Sequence, residues 1–204
     1  PRRVLFSGDI GQWNKPIIHD PTLFRSADFV VMESTYGDRN HENGGDIESQ
    51  LARLIQDTAR RGGNLVIPAF ALERTQELLL DIARLLDANR IPNVQCFVDS
   101  PLANKATKVF AKYASELEDV GGPGVFDHPS IHYVDDALIS MRLNSVSGAI
   151  IIAASGMCEA GRIRHHLRHN LHRRDSTILF VGFQAEGSLG RVILDGAERV
   201  RISG

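Results

Sequence analysis

The chain has 204 residues, a formal net charge of −2 and 43% hydrophobic residues, as expected for one globular domain or one domain with part of a second. No apolar run approaches the roughly 20 residues that cross a bilayer, which excludes a membrane span and a membrane partner. The two cysteines, Cys96 and Cys158, are too few for a disulfide framework or a cysteine-rich zinc site, so we expect a reducing, cytoplasmic setting. With so little net charge, any polyanion binding has to come from a local patch.

Short β-branched and apolar runs predict the strands. The clear runs are residues 4–6, 29–32, 65–67, 94–98, 149–153 and 178–181, and the weaker ones are 131–134 and 200–202. Apolar residues at helical spacing lie between several of these runs, and they predict a helix after Asp46 as N-cap and a second helix that contains Leu79 and Ile82. Further helices are predicted over residues 102–117, 135–143 and 160–171. This alternation predicts an α/β fold, with a mostly parallel sheet covered by helices on both faces.

Two acids follow the first two predicted strands. Asp9 comes after the run at residues 4–6, and Glu33 comes after the run at residues 29–32. Each lies where a strand enters a glycine-containing loop, so the strand fixes the side chain while the loop admits a substrate. A single such acid is more often a loop cap. The pair favours metal or acid-base chemistry.

The loops after the later strands are rich in small and polar residues. They lie at residues 68–71, 99–101, 154–157 and 182–187. The carboxyl ends of parallel strands share one edge of a sheet, and ligands bind at that edge. Arg74 follows the first of these loops, and an interior salt bridge and a substrate contact are both open for it. Ser100 fits a helix N-cap better than a ligand contact.

The Ser155-Gly156-Met157 loop is predicted to join a strand directly to a helix. Backbone N–H groups at such a junction can hold an anion. From Arg162 to Arg174 the chain has five arginines, four histidines and no acid. A zinc site at His165 and His169, a solvated surface and a phosphate contact are three open readings of this stretch. For Arg162 itself we favour phosphate.

Several short motifs, in order, resemble one protein family. They are Phe-Ser-Gly-Asp-Ile-Gly at residues 6–11, Glu-Ser-Thr-Tyr-Gly at 33–37, Pro-Ala-Phe-Ala at 68–71, Asp-Ser-Pro-Leu-Ala at 99–103 and Ala-Ser-Gly-Met at 154–157. Together they resemble the metallo-β-lactamase-fold nucleases that carry a β-CASP domain. The likeness is greatest to bacterial RNA-processing exonuclease-like proteins, which are akin to the nuclease subunit of the cleavage and polyadenylation specificity factor.

This resemblance implies roles for individual residues. Asp9 matches the aspartate that bridges two zinc ions in the family, and Glu33 matches the active-site acid of motif A. Ser155, Gly156, Met157 and the helix after them match the part of the cleft where the RNA backbone passes. Independently of the resemblance, Arg162 is the expected phosphate contact from its place near the helix start, and Arg74 is a candidate substrate contact. Glu73 departs from the pattern, because the family often has glycine there.

The resemblance also implies a domain organisation. Residues 1–42 would be the end of the first metallo-β-lactamase part, residues 43–185 the β-CASP domain and residues 186–204 a return towards the metallo-β-lactamase domain. The family's His-x-His-x-Asp-His motif and its later histidines are absent from these 204 residues. We therefore expect a fragment of a longer protein, and this piece should neither bind zinc tightly nor cleave RNA by itself.

The functional hypothesis is a zinc-dependent phosphodiester hydrolase acting on RNA. The alternatives are a non-catalytic RNA-binding or scaffold paralogue of the same fold, a DNA-acting β-CASP nuclease and an α/β domain that binds a nucleotide cofactor. The last is disfavoured, because no glycine-rich dinucleotide fingerprint and no P-loop follow any predicted strand. A homodimer is a further possibility, since exposed strand edges promote pairing.

Overall fold

The computed structural model describes residues 1–38, 40, 46–118 and 120–202. Within these ranges strands and helices alternate along the chain. In order they are β1 (Val4–Phe6), β2 (Phe29–Val31), α1 (Ile47–Arg60), β3 (Leu65–Pro68), α2 (Arg74–Asp87), β4 (Cys96–Val98), α3 (Pro101–Lys112), β5 (Ile131–Tyr133), α4 (Ala137–Arg142), β6 (Ile150–Ala153), α5 (Ile163–Asn170), β7 (Thr177–Ile178) and α6 (Leu189–Leu194). Short 3-10 segments occur at Ala114–Glu116, Pro123–Asp127 and Leu143–Ser145. No helix in the described ranges is long and apolar enough to span a bilayer.

The strands form two sheets, and their pairings are parallel. β1 pairs with β2 in a small two-stranded sheet. The larger sheet has the strand order β5-β4-β6-β3-β7. Its central strands β3 and β6 are buried along their whole length. The predicted fold class, α/β with a mostly parallel sheet, is confirmed.

Helices cover both faces of the larger sheet because its strands are apolar on both sides. Leu65 and Ile67 of β3 belong to a core cluster that contains residues of α1, α2 and α3. Val66, between them in the sequence, packs with Ile163 and Leu167 of α5 in a second cluster. Successive side chains of a strand point to opposite faces. A strand buried on both faces therefore reads as a continuous apolar run, and this is the pattern that predicted the sheet.

Side-chain caps fix where two of the helices begin. Asp46 Oδ1 accepts a hydrogen bond from the backbone N–H of Ser49 at 3.0 Å, one turn into α1. Ser100 Oγ accepts the N–H of Ala103 at 3.3 Å, one turn into α3. Both N-caps are confirmed as predicted. Loss of such a cap costs about 1 kcal/mol.

The predicted strand at residues 200–202 is wrong. These residues pair with no strand in the described part of the chain. Ile202 instead packs against the cluster around Leu167, and its carbonyl oxygen accepts a hydrogen bond from Arg168 Nη2 at 3.1 Å. The apolar residue that indicated a strand covers the outer side of the second core cluster.

The helical predictions need three corrections. The helix predicted over residues 160–171 begins only at Ile163, because Gly161 has φ of +80°, which a right-handed helix excludes. The helix predicted over residues 102–117 ends at Lys112 and is followed by the 3-10 segment Ala114–Glu116. The short helix α6, capped by Ser188, was not predicted at all.

The domain boundaries predicted from the family resemblance stay predictions. The first, between residues 42 and 43, lies outside the described residues. The second, between residues 185 and 186, precedes α6. Leu189 and Ile193 of α6 pack against the same cluster as Leu167 of α5. Helix α6 therefore packs on the same hydrophobic core as the larger sheet.

Gly63 is a position where the backbone admits no side chain. A Cβ there would lie 2.0 Å from the carbonyl oxygen of Asp175 and 2.6 Å from the backbone nitrogen of Ser176. Gly63→Ala should therefore force two backbone segments apart and destabilise the protein by roughly 1–3 kcal/mol or more. Urea unfolding followed by circular dichroism measures this. Gly124→Ala is the control, because a Cβ at Gly124 meets nothing within 4 Å. Equal stability of the two variants would contradict the prediction.

Candidate functional site

The small parallel sheet brings the two acids to one edge. β1 and β2 pair in register, with Phe6 opposite Val31, so both strands end at the same edge. The pairing continues beyond the strands. The Ser7 N–H donates to the Val31 carbonyl at 2.9 Å, and the Glu33 N–H donates to Ser7 Oγ at 3.1 Å. Asp9 and Glu33 thus follow adjacent strand ends, as the sequence predicted.

The carboxylate of Glu33 bridges the two loops that follow these strands. Oε1 accepts the Ile10 N–H at 3.3 Å, and Oε2 accepts the Thr35 N–H at 3.2 Å. Hydrogen bonds from the Thr35 side chain, the Thr35 backbone and the Ile10 backbone lower the pKa of Glu33 below its ordinary value. The group is therefore ionised at neutral pH, which favours an orienting role over proton donation.

Asp9, Glu33 and Arg74 line one open cavity of about 630 Å³. Asp9 is exposed, and within the described ranges its carboxylate has neither a hydrogen bond nor an ion pair. A free carboxylate next to one that is held by its own loops is a suitable start for a ligand site. The cavity brings together three of the residues singled out in the sequence, although their roles remain predictions.

Arg74 takes part in an ion pair and also faces the cavity. It is the first residue of α2, and its guanidinium contacts the buried carboxylate of Glu77 one turn later. About a third of the Arg74 side chain, 32%, remains exposed at the cavity wall. The salt-bridge interpretation is therefore confirmed, and the substrate contact of the exposed part stays a prediction. Glu73 before it has φ of +66°, a region that favours glycine, which explains why glycine suits this position in the family.

The described residues do not complete a metal site by themselves. They contain no group of three or more histidine, cysteine, aspartate or glutamate side chains placed to hold a metal ion. In the cavity, Glu33 already accepts two backbone hydrogen bonds, and the other acidic side chains that line it are those of Asp9 and Glu73. Catalytic zinc needs about three protein ligands. The zinc reading of His165 and His169 also finds no support in the described ranges.

The loop of Ser155, Gly156 and Met157 folds back on itself and does not lead directly into a helix. Ser155 Oγ accepts the backbone N–H groups of Glu159 and Ala160 at 3.1 and 3.3 Å. The Met157 carbonyl accepts the Gly190 N–H at 3.0 Å. Since α5 begins only at residue 163, the prediction of an anion site at a strand-to-helix junction is wrong in its geometry. A contact of this loop with substrate remains a prediction.

Side chains connect this loop with the loop of Glu33. Gln184 Nε2 donates to the carbonyl of Gly156 at 3.0 Å. The neighbouring ring of Phe183 packs edge-on against Tyr36, with centroids 5.7 Å apart. Gly156 itself packs closely on Phe70, since a Cβ there would lie 2.9 Å from the ring. The loops after several strands are thus joined along one edge, as expected for parallel sheets.

Asp99, at the end of β4, is the centre of a buried polar network that the sequence did not reveal. Its Oδ1 accepts a hydrogen bond from Arg162 Nη1 at 2.7 Å. Its Oδ2 accepts hydrogen bonds from Ser140 Oγ at 2.6 Å and from His166 Nε2 at 2.7 Å. Burial acts to raise the pKa of Asp99, but the hydrogen bonds from His166, Ser140 and Arg162 outweigh it, so the pKa lies below its ordinary value. The carboxylate ties α4 and α5 to the sheet.

Arg162, the favoured phosphate contact, is largely occupied by this network. Besides Asp99, its guanidinium donates to the carbonyl oxygens of Val134 at 3.0 Å and Asp135 at 2.7 Å. Only 21% of the Arg162 side chain is exposed. The structure therefore gives Arg162 a structural role, and its contact with phosphate stays a prediction. Asp99 and His166 were not predicted as members of this network. The sequence holds one indication of them, since Asp99 ends an apolar run and His166 lies one turn after Arg162.

The exposed side of α5 and the turn after it form a basic surface, consisting of His165, Arg168, His169, His172 and Arg174. Burial, together with neighbouring histidines and Arg168, lowers the pKa of His169. At neutral pH this histidine is therefore neutral, and the arginines supply much of the positive charge. Because the net charge of the chain is near zero, polyanion binding would require a local basic patch, and the α5 basic surface is such a patch.

The α/β fold and the order of the motifs are consistent with the family resemblance, and comparison with known proteins tests it directly. A family model described as the Beta-Casp domain matches residues 75–193. Ribonuclease TTHA0252 of Thermus thermophilus is 34% identical over 210 residues, covering 100% of this chain and 48% of that protein. The chain therefore belongs to the β-CASP family of metallo-β-lactamase-fold nucleases, which confirms the resemblance.

Two other relatives show how widely the likeness extends. Transcription termination factor FttA of Methanosarcina mazei is 28% identical, over 98% of this chain and 33% of that protein. Cleavage and polyadenylation specificity factor 73 of Drosophila melanogaster is 27% identical, over 97% of this chain and 30% of that protein. The chain thus spans half or less of the length of these relatives.

Proposed function

We propose that this chain is the β-CASP part of an RNA-processing, metal-dependent ribonuclease. One observation carries the proposal: Asp9, Glu33 and Arg74 line a single cavity at the edge where two parallel strands end. A free carboxylate that could hold a metal ion, an oriented carboxylate and a cation suit a phosphodiester substrate, because the metal and the cation would compensate its negative charge while water attacks. A relative named as a ribonuclease, with 34% identity over the whole chain, supports this choice.

The proposed metal is zinc, with two ions in the complete protein. Asp9 would be the ligand from this chain, and the others would come from the family's His-x-His-x-Asp-His motif and later histidines, which these 204 residues do not contain. When bound, the metal supplies charge neutralisation and a lowered pKa for water. Glu33 holds the Asp9 loop through the Ile10 N–H, and Arg74 binds a phosphoryl oxygen with the exposed part of its guanidinium.

The proposed partner is RNA, and the α5 basic surface supports it. Clustered arginines supply most of the affinity for a phosphate backbone, whatever its sequence. We also propose a reducing, cytoplasmic setting, supported by two free, buried cysteines, Cys96 and Cys158. Burial raises the pKa of both thiols to about 12, which makes them unreactive at neutral pH. Homodimer formation stays an untested prediction.

Metal removal tests the proposal. The protein, extended to the length of its relatives, should cleave a labelled RNA and not the DNA of the same sequence. Dialysis against a chelator should abolish cleavage, and added zinc should restore it, because the attacking water depends on the metal. The 204-residue chain alone should bind zinc only weakly, since its described residues contain no group of three or more side chains placed to hold a metal ion.

The other outcomes are equally informative. Cleavage that survives complete metal removal would contradict the metal-dependent mechanism. RNA binding without cleavage in the zinc-loaded protein would indicate a scaffold paralogue instead. Equal cleavage of DNA would assign the protein to the DNA-acting members of the family. Stoichiometric, tight zinc binding by the 204-residue chain would contradict the proposed ligand distribution.

A further inference from the structure

A second cavity, of about 480 Å³, adjoins the first. It lies between α1, α2, the loop at residues 12–16 and the segment at residues 179–181. Most of its wall is apolar and comes from Ile47, Leu51, Leu54, Leu78, Leu179, Phe180 and Val181. Trp13, with 54% of its surface exposed, lies at the wall as well. Volume and lining are in the range of sites that bury small organic ligands.

Three carboxylates, those of Glu48, Glu77 and Asp81, also line this cavity, and they differ in their ion-pair partners. Glu77 contacts Arg74 and lies 3.3 Å from Lys15 Nζ, while Glu48 contacts Arg90. Asp81, one turn after Glu77 on α2, has no hydrogen bond and no ion pair in the described ranges. A carboxylate that is partly buried among apolar side chains without a donor is costly. A ligand that brings N–H groups to Asp81 would remove this cost.

The two cavities are joined by the residues they share. Gln12, Lys15 and Arg74 line both of them. The cations therefore stand between the Asp9 and Glu33 cavity and the apolar cavity that contains Asp81. A nucleotide matches this arrangement of cations beside an apolar cavity, with its phosphate at Arg74 and Lys15 and its base in the apolar cavity.

We propose that the apolar cavity binds one unpaired guanine base of the RNA, with Asp81 as the residue that selects guanine. The proposal rests on the proposed ribonuclease function for its biological meaning. Its chemistry, however, concerns binding of a base and does not require cleavage.

The selectivity follows from the hydrogen bonds that each base offers. Guanine presents two adjacent donors, N1–H and the 2-amino group, and an ionised carboxylate is an acceptor with two oxygens. Adenine and cytosine each present one donor beside an acceptor, which would face the second carboxylate oxygen. Unpaired bases are read in this way in proteins, by hydrogen bonds to the pairing edge together with aromatic stacking. Trp13 is the available stacking partner.

The charge state of Asp81 makes the preference depend on pH. Burial, and then the negative charges of Glu48 and Glu77, raise its pKa to about 6, while Arg84 and Lys15 oppose them. Arg74, which pairs with Glu77, is the other cation of the cavity. Above this pH the ionised group matches the two donors of guanine. Below it the protonated group offers one donor and one acceptor, which matches adenine or cytosine.

Nucleotide titration tests the inference. Trp13 is the only tryptophan of the chain, so its fluorescence reports on this cavity. We expect guanosine monophosphate to bind roughly tenfold more tightly than the adenosine, cytidine and uridine monophosphates at pH 7.5. Inosine monophosphate, which lacks the 2-amino group, should fall between guanosine and adenosine monophosphate. At pH 5 the guanine preference should disappear. Calorimetry on the same solutions gives the affinities independently of the fluorescence.

Asp81→Asn is the decisive variant. An amide offers one donor and one acceptor, so the variant should lose the guanine preference at every pH. Its melting temperature at neutral pH should rise, because a partly buried charge is removed, and a loss of binding therefore cannot be ascribed to unfolding. Asp87→Asn is the matched control on the same helix. Asp87 has 75% of its side chain exposed and does not line the cavity, so this variant should bind like the wild type.

The inference and the ribonuclease proposal can fail separately. Equal affinity for all four mononucleotides, or a guanine preference that survives Asp81→Asn, would overturn the base site whether or not RNA is cleaved. Guanine-selective binding by a protein that cleaves no RNA would overturn only the ribonuclease function. Binding of inorganic phosphate as tightly as guanosine monophosphate would show that Arg74 and Lys15 alone hold the ligand, and it would also overturn the base site.

Discussion

Asp9→Ala should abolish RNA cleavage by the complete, zinc-loaded protein while leaving its fold intact. Replacing residues that only support metal ligands already costs about 10–100-fold, so loss of a ligand itself should cost more than about 100-fold. The stability should hardly change, because Asp9 is exposed and has no partner in the described ranges. Initial cleavage rates, zinc content and the urea unfolding midpoint, measured on one preparation, separate these effects.

The control for this prediction is Asp57→Ala. Asp57 is an aspartate of α1 whose side chain is 49% exposed, and its ion pair within the described ranges is with Arg60 on the helix surface. Exposed pairs of this kind contribute little stability, and Asp57 lines neither cavity. The Asp57 variant should cleave like the wild type. If both variants kept full activity and zinc content, Asp9 could not be a metal ligand.

Much of the fold was predictable because single elements carry enough local information. The strands β3 and β6 are buried on both faces, so their residues form unbroken apolar runs. Asp46 and Ser100 are caps whose residue types alone indicate a helix start. The helix α6 escaped prediction because six residues hold too few apolar positions to show a helical period. Its cap, Ser188, was the only local signal.

The first part of the candidate site was predictable for a topological reason. Asp9 and Glu33 each follow the end of a strand, and parallel pairing places such ends together without any knowledge of side-chain contacts. Arg162 shows where this reasoning fails. The sequence presents it among other arginines and histidines, but its guanidinium turns inward to a carboxylate 63 residues away. Nothing in the spacing of charges indicates a tertiary contact of that range.

Asp81 could not be recognised from the sequence for the same reason, because its surroundings depend on tertiary packing. In the sequence, Asp81 resembles an ordinary surface acid of a helix. It becomes enclosed only when α1, α2 and the loop at residues 12–16 pack together. The raised pKa of Asp81 and the lowered pKa of Asp99 give the protein two acids with opposite effects on stability. Ionisation of Asp81 costs stability as the pH rises to about 6. Ionisation of Asp99 adds stability and is kept at neutral pH.

Asp99→Ala should be among the most destabilising single substitutions in this chain. The carboxylate is fully buried, and its removal leaves the Arg162 guanidinium and His166 Nε2 without their acceptor. Breaking a buried ion pair by removing one partner costs about 3–5 kcal/mol. The loss should appear in urea unfolding at pH 7, with Asp87→Ala as the exposed aspartate control. Asp99→Asn should lose less, because an amide oxygen still accepts one hydrogen bond.

The pH dependence distinguishes this electrostatic cause from a simple packing defect. The folded-state pKa of Asp99 lies below the ordinary value of 3.8, so its stabilisation is present above that value and is lost as the pH falls through the folded-state pKa. The difference in unfolding free energy between wild type and Asp99→Asn should therefore be greatest at neutral pH and shrink in acid. A difference that stays constant across this range would mean that Asp99 stabilises the protein through shape alone. In that case the tie between α4, α5 and the sheet would not depend on its charge.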